Sequence, residues 1–197
     1  MRQKEETNVM EKKDIVNRCK WVNLKNPVYI RYHDTEWGVP QHEEAILFEM
    51  LFLEWFQAGL SWECLLNKRE GFRRAFDSFD AEKISRYGDE EFARLLADPN
   101  IIRNKLKIRA SVGNSRVFLK IQQQYNTFDT YIWGFTEGKT IVERYDTRTT
   151  SPLSDRIAED LKKRGMKFVG STVVYSYLQA IGVLNAHGRE CDCCARE

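Results

Sequence analysis

Cysteine and histidine residues at the two ends of this 197-residue chain constrain its fold more than any other feature. Cys19 and His33 lie near the N-terminus, and His187 and Cys191 lie near the C-terminus in the spacing His-x3-Cys. Two thiolates and two imidazoles are the ligand set of a closed tetrahedral zinc site, which is structural because it leaves no position for water. Such a site would join the two ends of the fold. The spacing alone is equally compatible with buried thiols and ordinary histidines that never meet.

The cysteine count and the charge limit the compartment and the class of partner. Five cysteines, three of them within residues 191–194, do not resemble a disulfide framework and favour a reducing, cytoplasmic setting. Because Cys193 and Cys194 accompany Cys191, the choice of ligand at the C-terminal end stays open. The net charge is only +2, so any DNA binding must come from local basic patches. No apolar run approaches the length of a membrane span, and we expect neither a span nor a hydrophobic leader.

Helical patterns dominate the chain and predict an all-α fold. Residues 43–59 are apolar on nearly every side, which is typical of a helix buried in a core. Further helices are predicted at residues 67–76, 81–87, 89–97, 105–124, 128–135, 152–164 and 172–184, with an irregular exposed loop at 137–150. The charged segment 1–16 is expected to be a flexible extension, which leaves a single domain at residues 17–197.

A basic, glycine-bounded turn joins the last two predicted helices. Gly165 and Gly170 let the backbone approach a ligand closely, and the amides that open the second helix can hold a phosphate. Lys167 and its basic neighbours add sequence-independent attraction for a nucleic-acid backbone. These features favour a helix-hairpin-helix DNA-binding element at about residues 155–184. A plain helix turn with a glycine C-cap and solvated lysines explains the same residues as well.

Glu54 is the most informative single carboxylate, because it shares a helix face with apolar residues on the two preceding turns. A carboxylate in that position must be desolvated, paired or functional. The alternative is that Glu54 reaches solvent, since the predicted helix ends near residue 58. Nearby Trp62 and other aromatic side chains favour the functional interpretation.

Aromatic residues also cluster upstream, interleaved with the two N-terminal candidate metal ligands. Four of them fall within 17 residues: Trp21, Tyr29, Tyr32 and Trp37. Together they can line a pocket for a flat heterocycle, and their electron-rich faces favour a cationic one. Taken singly, such residues more often belong to a hydrophobic core. His42 lies outside both half-sites and is predicted to be a surface residue.

Several of these stretches together resemble the 3-methyladenine DNA glycosylase I (TAG) family of bacterial base-excision repair. The matching segments are Arg18-Cys19-x-Trp21, Tyr29-Ile30-x-Tyr32-His33-Asp34-x-Glu36-Trp37-Gly38-Val39-Pro40, Leu53-Glu54-x-x-Gln57-Ala58-Gly59-Leu60-Ser61-Trp62, Ile101-Ile102-Arg103-Asn104-x-x-Lys107-Ile108, Lys163-Arg164-Gly165-x-Lys167-Phe168-Val169-Gly170 and Asn185-x-His187-x3-Cys191. They follow the order of the family and cover all of the chain except its N-terminal tail. Motifs this long and this rich in Trp, Gly and His make the match highly specific.

The resemblance implies an all-α helix-hairpin-helix glycosylase, expected to be a monomer that acts on double-stranded DNA containing alkylated adenine. It implies a structural zinc ion whose ligands are Cys19, His33, His187 and Cys191. It also places several residues in or around the base pocket: Glu54, Trp62, Trp21, Tyr29, Tyr32 and Trp37. The Gly59-Leu60 loop is implied to press against the gap left by the extruded nucleotide, with Gly165, Lys167 and Gly170 on the DNA backbone.

The implied reaction is hydrolysis of the N-glycosidic bond of 3-methyladenine, without strand cleavage. Glu54 is expected to contact the base, and orientation of the attacking water is an alternative role. Many family members carry a small residue, often glycine, after this glutamate; the Trp55-Phe56 pair here either reshapes the pocket edge or packs inward.

Two rival functions come from other classes. One is a module that recognises damaged DNA without catalysis. The other is a zinc hydrolase or deaminase, which needs an open metal position and a His-x-Glu sequence that neither His33-Asp34 nor His187-Gly188 supplies.

Overall fold

The computed structural model describes residues 16–57, 59–143 and 148–193, and within these ranges it is mostly helical. The helices are α1 (Pro27–Thr35), α2 (Glu44–Gln57), α3 (Trp62–Ala75), α4 (Ala81–Ile84), α5 (Asp89–Ala97), α6 (Lys105–Tyr125), α7 (Phe128–Gly134), α8 (Pro152–Lys163) and α9 (Ser171–Ala180). A short 3-10 segment, Asp77–Phe79, follows α3. The strands are β1 (Ile141–Val142) and β2 (Leu184–Asn185). The N-terminal extension up to residue 15 and Cys194 lie outside the described residues, so the expectations for them stay predictions.

The core forms around α2, whose residues from Leu47 to Phe56 are all buried. Phe52 stacks on Phe56 with ring centroids 5.2 Å apart, and both rings contact phenylalanines of α3 and the turn after it. Burial of each such side chain contributes about 1.5–3 kcal/mol. Trp55 and Phe56 are completely buried, so this pair packs inward, and neither residue lines the cavity described below.

The predicted limits agree with the structure for some helices and not for others. The prediction for α5 is confirmed at both ends, and that for α6 within one residue. Helix α1 was not predicted, although Asn26 accepts hydrogen bonds from two amides of its first turn and Pro27 occupies the first position. Helix α3 begins five residues before its predicted start because Ser61 caps it.

The final helix ends at Ala180, four residues earlier than predicted, for a steric reason. Gly182 has a φ of +73°, and a Cβ there would lie 2.3 Å from the backbone of Val39 and Pro40. The chain therefore leaves the helix where it meets the segment after α1, and only glycine permits that approach.

The all-α prediction requires a small correction at two short strands. Strand β1 lies inside the predicted loop 137–150 and pairs in parallel with β2, with Ile141 opposite Leu184. Two residues per strand are too few to produce a recognisable alternation of polar and apolar side chains. None of the described helices combines the length and apolar character that a membrane span requires.

The two ends of the described chain meet beside this core. Asn17 donates its amide to a carboxylate oxygen of Asp192 at 2.7 Å, and Asp192 donates its own amide to the Asn17 carbonyl at 2.9 Å. A second, smaller cluster of buried side chains forms there, separate from the α2 core. This junction brings the predicted metal half-sites together.

Candidate functional site

A buried group of imidazoles and thiols lies at the junction of the chain ends. Its members, called the His/Cys cluster below, are His33, His187, Cys191 and Cys193, and their potential ligand atoms all lie within 4.8 Å of one another. Three of the four predicted ligands thus come together, and Cys193 joins them. Two nitrogen and two sulfur donors are a set that suits a tetrahedral metal ion such as zinc.

The environment of the two imidazoles also suits a metal site. His33 Nδ1 lies 2.7 Å from an Asp34 carboxylate oxygen, and His187 Nδ1 lies 2.8 Å from the Asn185 side-chain oxygen. Such contacts fix the tautomer of each ring and leave Nε2 for a metal. His33 Nε2 lies 3.5 Å from Cys191 Sγ. Burial raises the pKa of the Asp34 carboxyl, but hydrogen bonds from Arg18 and His33 outweigh it and leave that pKa below its ordinary value.

Cys19 lies at the edge of this cluster, where its surroundings differ from those of Cys193. The Cys19 thiol accepts a hydrogen bond from the Gly188 amide at 3.5 Å. The Cys193 thiol instead faces an Asp34 carboxylate oxygen at 4.0 Å. Burial raises the pKa of Cys19 to about 12 and that of Cys193 to about 11. The four described cysteines are all free thiols.

A glycine is required for the chain to pass this cluster. Gly38 has a φ of +76°, and a Cβ there would lie 2.8 Å from Cε1 of His187. The backbone after α1 therefore lies directly against the imidazole ring and holds it in place. Burial, followed by the nearby His33, lowers the pKa of His187 to about 4, which keeps its imidazole neutral and able to bind a metal.

A cavity of about 210 Å³ opens next to the cluster. Every residue predicted for the base pocket lines it, together with three more residues from α2 and α9. The lining residues are Trp21, Tyr29, Tyr32, Trp37, Glu54, Gln57, Trp62, Ser176 and Gln179. Gln57 follows Glu54 by three positions on α2, a spacing that could have indicated it. Ser176 and Gln179 carry no comparable signal, because only the packing of α9 brings them here.

Glu54 is the exceptional polar group of this cavity. Only 2% of the residue is exposed, so the alternative that it reaches solvent is wrong. Its Oε2 atom has no hydrogen-bond partner among the described residues. Burial raises the pKa of the carboxyl well above its ordinary value. A buried carboxyl without a partner, in the wall of a cavity, is a group that a ligand can satisfy.

The aromatic walls of the cavity pack directly on the His/Cys cluster. Trp21 makes an edge contact with His33 at a centroid distance of 5.3 Å. Trp37 makes an edge contact with His187 at 4.5 Å. On the opposite side, Tyr32 and Trp62 lie 5.4 Å apart. A metal bound at the cluster would therefore stabilise the walls of the cavity and would stay separated from its interior.

The residues predicted to contact DNA lie on two exposed loops. Gly59 and Leu60, the α2–α3 loop, are exposed. Residues 165–170, the hairpin turn, join α8 to α9, with Lys167 exposed and Gly170 at the N-cap of α9. Phe168 of this turn is exposed and has a φ of +61°. For a bulky residue this left-handed conformation is unusual and requires support from neighbouring groups.

Sequence and structure comparisons relate the chain to one group of proteins. A family model described as Methyladenine glycosylase matches residues 21–195. The chain is 43% identical over 182 residues to DNA-3-methyladenine glycosylase 1 of Escherichia coli (strain K12), covering 90% of this chain and 97% of that protein. It is similar to a crystal structure of 3-methyladenine DNA glycosylase I (TAG), with a TM-score of 0.87, 43% identity and coverage of 91% and 100% of the two chains. A Staphylococcus aureus TAG structure, which concerns 3-methyladenine recognition, gives a TM-score of 0.84 at 35% identity and covers 88% of this chain and 94% of that one.

Proposed function

Because the chain belongs to the methyladenine glycosylase family, we propose that it hydrolyses the N-glycosidic bond of 3-methyladenine in alkylated DNA. The observation that carries the proposal is the buried, unpartnered Glu54 carboxyl in the wall of an aromatic cavity. A flat base that carries a positive charge fits both features, since it can lie against the rings and satisfy the carboxylate.

The proposed reaction requires little acid catalysis from the enzyme. Methylation at N3 makes the purine cationic, so it leaves with the electrons of the bond between C1′ and the base nitrogen and becomes neutral. Water then adds to the oxocarbenium-like sugar and loses a proton. The protein must extrude the nucleotide, recognise the lesion and stabilise the transition state. No lysine lines the cavity among the described residues, in agreement with a monofunctional enzyme that does not cleave the strand.

Eight of the nine residues that line the cavity have a role in this proposal. Glu54 pairs with the cationic base and acts as the catalytic residue; its alternative role is to orient the water. Trp62 stacks on the base. Four further aromatic side chains line the pocket: Trp21, Tyr29, Tyr32 and Trp37. The polar side chains of Gln57 and Ser176 offer hydrogen bonds to the base edge.

Double-stranded DNA is the proposed partner, bound by a monomer. Residues Gly59 and Leu60 would fill the gap left by the extruded nucleotide. Helices α8 and α9 would act as a helix-hairpin-helix element, with Gly165, Lys167 and Gly170 at the phosphate backbone. The exposed lysine and the N-terminal amides of α9 support this role, because both attract phosphate without reading sequence.

The proposed cofactor is one structural zinc ion held by Cys19, His33, His187 and Cys191. Cys19 is preferred to Cys193 as the fourth ligand because its thiol accepts a hydrogen bond from the Gly188 amide, whereas the Cys193 thiol faces the Asp34 carboxylate. Burial gives Cys19 the higher pKa of the two thiols, and the charge of a bound metal ion would offset that cost of ionisation. Zinc would neutralise the thiolates and join the chain ends. The rival metal-dependent hydrolase is disfavoured, since no residue of the cluster lines the cavity in the described structure.

The deciding experiment is release of free base from methylated duplex DNA, separated by chromatography. We expect 3-methyladenine to appear and the strand to stay intact until alkali cleaves the abasic site. Tight binding of damaged duplex without base release would favour the rival non-catalytic module and overturn the proposal.

A further inference from the structure

Helix α6 carries a buried polar face that the proposed function has not used. Lys107, Ser111 and Asn114 are all buried, at positions i, i+4 and i+7 of one helix face. Polar groups in such a place are costly unless their hydrogen bonds are satisfied. Lys107 and Asn114 form their hydrogen bonds with residues of other segments. Each of those segments leads to a residue predicted to contact DNA.

Lys107 contacts the end of α2. Its Nζ atom donates to the Phe56 carbonyl at 2.7 Å, one residue before α2 ends at Gln57. The last carbonyls of a helix lack partners within the helix and attract a cation. Burial lowers the pKa of this lysine, which marks how far the ammonium is withdrawn from water. Lys107 therefore anchors the point from which the chain continues to Gly59 and Leu60.

Asn114 contacts the hairpin turn through both atoms of its amide. Its Nδ2 donates to the Lys167 carbonyl at 2.9 Å, and its Oδ1 accepts from the Lys167 amide at 2.8 Å. The clamped residue directly precedes Phe168, whose backbone is left-handed. This two-point contact from a fully buried side chain supplies the support that an unfavourable conformation needs.

We propose that the Lys107–Asn114 face of α6 is a rigid spacer that sets the distance between the α2–α3 loop and the hairpin turn. The two anchors are separated by about 10 Å along the helix axis, because seven residues rise 1.5 Å each. The spacer allows one loop to fill the strand gap while the hairpin turn holds a phosphate of the same duplex. Lys107 and Asn114 are positioning residues, and this inference rests on the proposed function.

The test compares binding of duplex DNA with binding of the free base. The variants are Lys107→Met, which removes the ammonium but retains most of the side chain, and Asn114→Ala. Their matched controls on α6 are Lys120→Met, at an exposed position, and Ser115→Ala, which removes a buried hydroxyl bonded within the helix. Duplex affinity is measured by fluorescence anisotropy with a tetrahydrofuran abasic analogue. Free 3-methyladenine binding is measured by tryptophan quenching.

We expect each spacer variant to weaken duplex binding by about tenfold and to leave the affinity for free 3-methyladenine unchanged. The controls should change neither quantity. Lys107→Arg, which keeps a cationic donor, should recover part of the duplex affinity, and Asn114→Ser serves as a milder second variant if the alanine protein is too unstable. Selective loss with partial recovery supports the spacer.

Two outcomes overturn the inference. If duplex and free-base affinities fall together in all variants, the residues are merely structural; if duplex affinity does not change, they do not position the loops. Failure of the proposed function is distinguishable from both, because it is measured on the wild-type protein. A wild type that releases no base from methylated DNA refutes the proposed function whatever the variants do.

Discussion

The two walls of the cavity are held in place by different forces. The wall that carries Glu54 belongs to α2, which is surrounded by completely buried aromatic and aliphatic side chains. The wall that carries Trp21 and Trp37 packs on the His/Cys cluster, where few apolar residues are buried. Hydrophobic burial is the main stabilisation of the first wall, because each large side chain contributes about 1.5–3 kcal/mol. The second wall depends on thiols, imidazoles and ion pairs.

The two walls therefore differ in what keeps them rigid. A carboxyl can be kept buried and without a partner only where the surrounding core is strong enough to absorb its desolvation cost. The opposite wall is made from the two chain ends and would separate if the cluster lost its contacts. We therefore expect the two walls to respond differently to metal removal, to substitution and to pH.

The largest effect should follow loss of the proposed metal. Cys191→Ser, or exhaustive chelation, should lower the free energy of unfolding by roughly 4 kcal/mol or more, because ordering of the chain ends is coupled to metal binding. Cys19→Ser should behave alike, whereas Cys193→Ser should retain one equivalent of zinc. Metal analysis and denaturant unfolding measure this. A metal-free protein of unchanged stability would show that the cluster holds its wall without an ion.

A large effect on activity is expected from Glu54→Gln. Glutamine keeps the shape and hydrogen bonding of the side chain but removes its charge, so one charge-assisted contact worth about 1.5–3 kcal/mol is lost. Single-turnover release of 3-methyladenine should fall roughly ten- to 160-fold. Binding of abasic duplex should change little. Excision at the wild-type rate would leave Glu54 without a catalytic role.

A smaller effect on stability should distinguish alanine substitution at Gly38, beside the His/Cys cluster, from alanine substitution at Gly113 on α6. Gly38→Ala should cost about 2 kcal/mol, because the new methyl group meets His187 and the φ is positive. Gly113→Ala should stabilise by about 0.5–1 kcal/mol, because its Cβ meets nothing within 4 Å and alanine favours helix. Thermal unfolding of both variants provides the measurement. Equal effects at the two positions would contradict the steric role of Gly38.

The smallest effect concerns the stability of the α2 wall as a function of pH. Because the pKa of Glu54 is raised in the folded state, the proton on its carboxyl contributes to the free energy of unfolding. That contribution is fully present below the unfolded-state pKa of about 4.5 and is lost as pH rises through the folded-state pKa. Glu54→Gln should therefore be more stable than wild type at neutral pH, by about 1 kcal/mol. The difference should vanish below pH 4.5. The exposed Glu43→Gln serves as control, and a pH-independent difference would refute the desolvation argument.

Features that depend on neighbours along the chain could be predicted from the sequence. The limits of α5 and the burial of α2 follow from local periodicity and capping, which act within a few residues. The composition of the pocket could be predicted only in part. Glu54 and the N-terminal aromatic residues stood out by type and spacing, whereas Ser176 and Gln179 are ordinary residues of an ordinary helix.

The sequence by itself determined which segments become helices and which residue types are available for chemistry. Only the tertiary structure decided that Cys191 meets His33 across 158 positions, that Cys193 joins them, and that Lys107 and Asn114 anchor two separate loops. The physical reason is that helix periods and caps are encoded in local interactions, whereas a contact between distant residues depends on how all the intervening helices pack. No spacing along the chain records that packing.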